Sequence, residues 1–116
     1  MSQETVEVKA VDGTIKEANV SRFRGFPGKG GCGFRDEWQP GILHVVKIHD
    51  MIPHHHENFE EIFLVIEGSG TIYLGDTPIH VEKWDTVKVP INVTHRAVPD
   101  EGKELIVAIF FKKWLD

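Results

Sequence analysis

The feature that most constrains the fold of this chain is the close spacing of short extended segments in its second half. Segments rich in β-branched and aromatic residues follow one another there, and turns at 68–70, 75–76 and 100–102 separate them. Many short strands at close spacing within one domain predict a sandwich or a barrel, so the predicted fold class is all-β. The predicted strands are 42–48, 61–66, 71–74, 79–81, 86–89, 95–98 and 105–111.

The first part of the chain adds two predicted strands and a loop. Residues 5–10 and 15–23 are the strands, and the dipeptide Asp12-Gly13 between them is a strong signal for a hairpin turn. A glycine-rich loop follows at 24–34. No window predicts a capped amphipathic helix, although 36–39 and 112–115 could form short helical turns. With 116 residues and no repeat or linker, the expectation is one domain spanning 1–116.

Composition restricts the partners of such a domain. The net charge is -5, which argues against nucleic acid and against an anionic membrane surface. No apolar run approaches the ~20 residues needed to cross a bilayer, and the N-terminus has no signal-peptide pattern. Cys32 is the only cysteine, so no intrachain disulfide can form. We therefore expect a cytoplasmic protein whose partners are small molecules or another protein chain.

Histidines and one carboxylate form the most informative pattern in the sequence. His54 and His56 are two positions apart, so on an extended chain they point to the same side, whereas His55 points to the other. If the next strand includes Glu61, its carboxylate could join the two imidazoles. Glu61 then shares a face with Phe63 and Val65, which are expected to wall the pocket. Two histidines and one carboxylate are a ligand set for transition metals with open coordination positions.

This stretch resembles the first motif of the cupin superfamily, G-x5-H-x-H-x(3,4)-E-x6-G. The chain has His54, His56 and Glu61 at the required spacing, and Gly68 ends the pattern. Ile48 stands where the opening glycine would be, so the turn before the histidines departs from the pattern.

A second stretch is similar to the other cupin motif, G-x5-P-x-G-x2-H-x3-N. Pro90 and His95 match it, while Trp84, Asn92 and Pro99 replace its two glycines and its asparagine. Asn92 is a tolerable replacement because asparagine enters the left-handed region more readily than most residues. None of these departures falls on a ligand position.

The resemblance implies a jelly-roll barrel (a double-stranded β-helix) with a divalent transition metal at its mouth. His54, His56, Glu61 and His95 would be the ligands, and Fe, Mn, Ni, Co or Zn would suit them. Relatives are dioxygenases, decarboxylases, lyases and isomerases, so we expect an enzyme that acts on a small oxygen-rich molecule. A non-catalytic module that binds or senses a small molecule is the alternative, because fold alone does not decide function.

Other residues have simpler interpretations. His44 is either a core residue or an acid–base in the pocket, and it is the candidate catalytic residue. A homodimer is expected, because single-domain cupins commonly pair through their sheets and the segment 105–111 is apolar. The run 28–31 does not match a phosphate-binding loop, and Cys32 has no evident base beside it. His49, His55 and His80 are expected to be exposed or in turns, and Trp38, Trp84 and Trp114 to be packing residues.

Overall fold

A computed structural model describes residues 2–22, 43–49, 51–57 and 59–113, and for strand residues 2, 3, 21, 22, 43, 44, 59 and 111–113 it describes the backbone alone. Eight strands, all paired antiparallel, make up the regular structure of these residues, so the all-β prediction is confirmed. The strands are β1 (Ser2–Lys9), β2 (Ile15–Arg22), β3 (Leu43–Lys47), β4 (Phe59–Leu74), β5 (Thr77–Glu82), β6 (Thr86–Val89), β7 (His95–Pro99) and β8 (Leu105–Lys113).

The strands form two layers that share β4. In the larger layer the order is β1-β2-β6-β4-β8-β3, and in the smaller layer β5 and β7 pair with the two edges of β4. The first part of β4 pairs with β6 and β8, whereas its last six residues, 69–74, pair with β5. One long strand therefore passes from one layer into the other and holds the two together.

The continuity of β4 contradicts the prediction of two strands separated by a turn at 68–70. The register against β8 shifts between Val65 and Glu67, which is a β-bulge, and Gly68 has a φ of 85°. Glycine tolerates this left-handed conformation without penalty. The glycines therefore bend the strand between the layers, where the turn chemistry of the sequence had suggested a reversal of the chain.

The core lies between the layers and follows the alternation of each strand. On β4, Phe63, Val65, Ile72 and Leu74 are all at most 1% exposed and belong to one apolar cluster. The predicted shared face of Glu61, Phe63 and Val65 is thus confirmed. Paired strands supply the other walls of the cluster, with Val20, Val81, Val87, Val89, Ala97, Leu105 and Val107.

The predicted turns at 12–13, 75–76 and 100–102 are present. Asp12 accepts hydrogen bonds from the backbone N–H and the hydroxyl of Thr14, at 3.0 and 2.7 Å, and so closes the β1–β2 hairpin. Residues 75–76 and 100–102 also form turns. The predicted loop 24–34 with Cys32, the possible turn 36–39, Trp38 and Trp114 lie outside the described residues. No helix of the described part is long and apolar enough to span a membrane.

Candidate metal centre

Two backbone hydrogen bonds join the segment before β4 to the start of β7. The N–H of His95 donates to the carbonyl of His54 at 2.8 Å, and the reverse bond is 3.3 Å long. A third bond, from the N–H of Asn92 to the carbonyl of His56, is 2.8 Å long. Two segments that are distant in the sequence are thereby held side by side at one end of the barrel.

The structure brings together all four of the predicted ligand residues. One donor atom from each of His54, His56, Glu61 and His95 lies within 4.8 Å of every other. The ring centroids of His54 and His95 are 4.2 Å apart, and those of His54 and His56 are 5.1 Å apart. The four donors therefore surround a single point.

Glu61 lies between two of the imidazoles. Its Oε1 is 2.7 Å from Nε2 of His56, and its Oε2 is 2.8 Å from Nε2 of His95. Glu61 is 4% exposed and His95 is 1% exposed, whereas His54 is at the surface. The cluster is therefore closed on the side of the core and open to solvent beside His54.

Backbone carbonyls set the orientation of two of the rings. Nδ1 of His54 lies 2.7 Å from the carbonyl oxygen of Ile52, and Nδ1 of His95 lies 3.3 Å from that of Val93. Since a carbonyl can only accept, each Nδ1 carries the proton and donates it. In the neutral form of each ring, Nε2 then presents a lone pair toward the cluster, which is how the rings of metal-binding histidines are held.

The buried donor atoms fit a cation between them. Neither Oε2 of Glu61 nor Nε2 of His95 makes a hydrogen bond of good geometry, and both are inaccessible to solvent. The 2.8 Å contact between Nε2 of His95 and Oε2 of Glu61 is favourable only with a proton or a metal ion between the two atoms. Imidazole and carboxylate together suit a divalent transition metal, so the residues present fit the implied group.

The titration behaviour of the cluster also suits a metal. Burial penalises the imidazolium of His56 and holds its pKa below the ordinary value, with His95 and His54 acting in the same direction and Glu61 opposing them. Burial alone would raise the pKa of Glu61, but the contact with His95 and the three imidazoles outweigh it, so that pKa is lowered. A neutral imidazole and an ionised carboxylate are the forms that bind metals.

An aromatic ring and one unusual backbone position lie beside the cluster, and a second unusual backbone position lies in the turn between β5 and β6. The ring of Phe63 packs against that of His95 with centroids 5.8 Å apart, as expected for a wall of the pocket. Asn92 has a φ of 63°, as its place in the second motif predicted. Trp84 also has a positive φ, 73°, and it is 38% exposed, so the packing expected of it is only partial.

The other histidines differ in how far the structure describes them. His44 lies in β3 with its backbone opposite Ile109, but its side chain is outside the described residues, so its catalytic role stays a prediction. His49, His55 and His80 are exposed, as expected. His80 lies on β5 and contacts Oδ2 of Asp100 at 3.0 Å, a pairing that the sequence pattern did not indicate.

Sequence reasoning missed the groups that orient the ligands. The carbonyls of Ile52 and Val93 belong to the backbone, so no residue type in the sequence could have revealed them. The only available signal was position, because each carbonyl lies two residues before the histidine that it orients. Such i to i−2 contacts depend on the local backbone path, which the folded chain alone determines.

Comparison with known proteins agrees with this geometry. The family model described as "Cupin domain" matches residues 42–111, which include all four clustered residues. A search of curated proteins finds no match.

Solved structures share the fold at low sequence identity. A cupin protein from Bacteroides fragilis superposes with a TM-score of 0.54 at 14% identity, over 95% of this chain and 76% of that one. A cupin-2 domain containing protein from Shewanella frigidimarina gives a TM-score of 0.54 at 23% identity, over 70% and 85% of the two chains. The plu4264 protein from Photorhabdus luminescens gives a TM-score of 0.55 at 20% identity, over 83% of this chain and 75% of that one. These similarities establish the jelly-roll fold.

Proposed function

The chain belongs to the cupin family, and from this membership we propose that it is a metal-dependent enzyme acting on a small oxygen-rich molecule. The observation that carries the proposal is the convergence of four donor atoms within 4.8 Å of one another at one end of the barrel. Three come from imidazoles and one from a carboxylate. We propose that His54, His56, Glu61 and His95 hold one divalent transition metal ion, with Fe, Mn, Ni, Co and Zn all compatible with these ligands.

The charge of the ligand set favours a substrate that carries oxygen. Three neutral imidazoles and one carboxylate leave a divalent ion with a net positive charge. When bound, such an ion polarises a carbonyl or carboxylate, acidifies a bound water, or binds dioxygen beside a substrate. Four protein ligands also leave coordination positions open in five- or six-coordinate geometry. The resemblance to other cupins implies the reaction class of a dioxygenase, decarboxylase, lyase or isomerase, and this ligand set is compatible with each.

The protein residues around the cluster orient and shield it. The carbonyls of Ile52 and Val93 hold two imidazoles with Nε2 directed inward, so little reorganisation is needed on binding. Phe63 and the apolar core behind it exclude water from the buried side, which strengthens the interaction between the carboxylate and a cation. A substrate would therefore approach from the open side, beside the exposed His54.

Elemental analysis tests the metal assignment. The protein is purified without metal-affinity resin, and its metal content is compared with that of a His54→Ala, His56→Ala double variant. We expect a stoichiometric transition metal in the native chain and a loss of most of it in the double variant. The matched control is His55→Ala, because His55 lies between the two ligands but outside the cluster. Equal metal content in all three proteins would rule the assignment out.

Turnover assays with dioxygen uptake then test for catalysis. The metal-loaded chain is incubated with small hydroxy acids, keto acids and dihydroxy compounds, and both substrate loss and oxygen consumption are followed. Substrate conversion that the double variant lacks would support an enzyme. A compound that raises the melting temperature of the metal-loaded protein and is never converted would instead identify a binding or sensing module.

His44 is the residue that we propose as acid–base for such an enzyme. Its backbone in β3 pairs with Ile109, one of the residues of the apolar core. The variant His44→Gln should lower kcat while leaving the metal content unchanged. Unchanged kcat, with the metal retained, would make His44 a structural residue.

A further inference from the structure

A second cavity lies against the outer face of the smaller layer. Its volume is about 340 Å³, and Tyr73, Asp76, Thr94 and Arg96 are among the residues that line it. This volume is within the range of small-molecule sites, roughly 300–1,000 Å³. Asp76 lies in the turn between β4 and β5, and Thr94 precedes β7.

Two side chains of this cavity, those of Tyr73 and Arg96, point away from the metal cluster. Tyr73 and Arg96 are opposite each other in the β4–β7 pairing. Their neighbours Ile72, Leu74 and His95 are buried in the barrel, and side chains alternate along a strand. Tyr73 and Arg96 therefore share the outer face, with the β7 backbone between them and the imidazole cluster. The cavity touches His95 but draws its charged groups from residues outside the cluster.

Arg96 is placed to bind an anion. Its guanidinium packs over the ring of Tyr73, 5.0 Å from the centroid, and the side chain is half-buried. Within the described part of the chain, no carboxylate forms an ion pair with it. This contact restricts the position of the guanidinium, and a planar fork of N–H donors matches a carboxylate in bidentate geometry. A carboxylate-bearing ligand would supply the partner that the described residues do not.

Asp76 narrows the chemistry of the ligand further. Its exposed carboxylate lines the same cavity, so it repels a second negative charge and accepts hydrogen bonds from a hydroxyl or ammonium group. We propose that this cavity, the Arg96 pocket, is a binding site for a small hydroxy- or amino-carboxylate, separate from the metal centre. The carboxylate pairs with Arg96, and the hydroxyl or ammonium group donates to Asp76.

An NMR titration of the full chain tests the proposal. Glycolate and glycine are added to isotope-labelled protein, together with acetate, which lacks the second group, and ethylene glycol, which lacks the carboxylate. We expect saturable shifts of the Gly75, Thr94 and Arg96 amides with glycolate and glycine. Acetate should bind more weakly, and ethylene glycol should leave these amides unchanged. The absence of saturable shifts at these amides with either acid would overturn the proposal.

Variants then locate the binding. Arg96→Gln should weaken glycolate binding by at least about tenfold, since hydrogen bonds to charged groups contribute this much. Arg96→Lys keeps the charge but loses the fork, so an intermediate affinity is expected, and it serves also if the first variant does not fold. The matched control is Lys103→Gln, which removes an exposed positive charge in a different part of the molecule. Unchanged affinity in both Arg96 variants would refute the proposal.

The test also separates the pocket from the metal centre, since glycolate could bind a metal. Shifts in the Arg96 pocket should persist in the His54→Ala, His56→Ala double variant, and the metal content of Arg96→Gln should equal that of the native chain. Shifts that disappear in the double variant would assign the glycolate to the metal and overturn the second site. If the four clustered residues bind no metal, the native chain and the double variant should bind glycolate alike. Glycolate binding at the Arg96 pocket can then still be tested with the Arg96 variants.

Discussion

At the scale of single residues, the cluster depends on which atom of each ring faces inward. Nε2 of His95 and Oε2 of Glu61 lie 2.8 Å apart in a region closed to water. The Nδ1 proton of His95 is directed to the carbonyl of Val93, which leaves a lone pair on the side of the carboxylate. Two such atoms at this distance need a proton or a metal ion between them. The individual atoms therefore locate the point at which a cation can bind, which the count of histidines does not.

Glu61 should be the ligand whose charge matters most. The variant Glu61→Gln keeps the size of the side chain but removes its negative charge. Metal affinity should fall by at least about tenfold, because changing a residue that only hydrogen-bonds to a ligand already lowers affinity that much. Competition with a chromogenic chelator measures the affinity. Glu67→Gln, on an exposed position of the same strand, is the control and should bind as the native chain does. Equal affinity in both variants would contradict the role of Glu61.

Acid should destabilise the metal-free protein in two steps. His56 has a lowered pKa, so as pH falls through the ordinary value of 6.5 the unfolded chain takes up the proton first, and the free energy of unfolding decreases. The pKa of Glu61 is also lowered, so as pH falls through the ordinary value of 4.5 the free energy of unfolding decreases further. Melting temperatures in chelator should therefore decline as pH is lowered from about 7.5. His56→Gln should reduce the pH dependence of the melting temperature in the first step. His49→Gln, on an exposed residue outside the cluster, should leave that dependence unchanged. A first step of unchanged slope in His56→Gln would exclude this cause.

At the scale of the elements, β4 determines the arrangement of the barrel. It contributes Glu61 to the cluster, Phe63 and Ile72 to the core, and Tyr73 to the Arg96 pocket. It can reach all of them because the bulge near Gly68 bends it from one layer to the other. A bulge re-aims the side chains that follow it, and here it lets one strand serve both sheets.

Gly68 should be the most sensitive glycine in this strand. A Cβ at this position would overlap the backbone carbonyl of Glu104, and the φ of 85° is unfavourable for other residues. We expect Gly68→Ala to lower the free energy of unfolding by more than about 3 kcal/mol, the upper end of single substitutions. Gly102→Ala is the matched control, since Gly102 also has a positive φ but open space around its Cβ position. That variant should lose only about 1 kcal/mol. If urea titrations gave the same loss of unfolding free energy for both variants, the chain would have relieved the overlap at Gly68, and the prediction would be wrong.

At the scale of the whole molecule, the larger layer has an apolar row on its outer face. Val45 is opposite Ala108, and Ala108 is opposite Leu64, so three strands contribute to one row. Val45 is 63% exposed at the edge of the sheet, whereas Ala108 beside it is 6% exposed. An exposed apolar side chain at such an edge is compatible with an interface between chains. We propose that two copies pair through this face, as the apolar character of β8 first suggested.

Exclusion chromatography with light scattering tests the homodimer. The native chain should elute with twice the mass of one chain, and Val45→Glu should shift it toward the monomer because it places a charge within the apolar row. Val11→Glu is the control, because Val11 is also exposed but lies in the turn after β1. A native chain that is monomeric at dilute concentration would refute the proposal.

The sequence by itself determined the local features of this protein. Period-two alternation and turn chemistry were sufficient for most strand positions, the continuity of β4 excepted, and for the shared face of Glu61 and Phe63, because both properties depend on neighbours along the chain. The motif spacing likewise indicated the four clustered residues.

Only the tertiary structure decided how distant segments meet. The continuity of β4 was not predictable, since Gly68-Ser-Gly70 suits a bulge as well as a turn, and pairing with β8 and β5 selects between them. The bridge between His54 and His95, the carbonyls that orient the rings, and the approach of Arg96 to Tyr73 also depend on pairing across the sheets. The physical reason is that strand register results from the packing of the whole core, whereas alternation is a property of each strand alone.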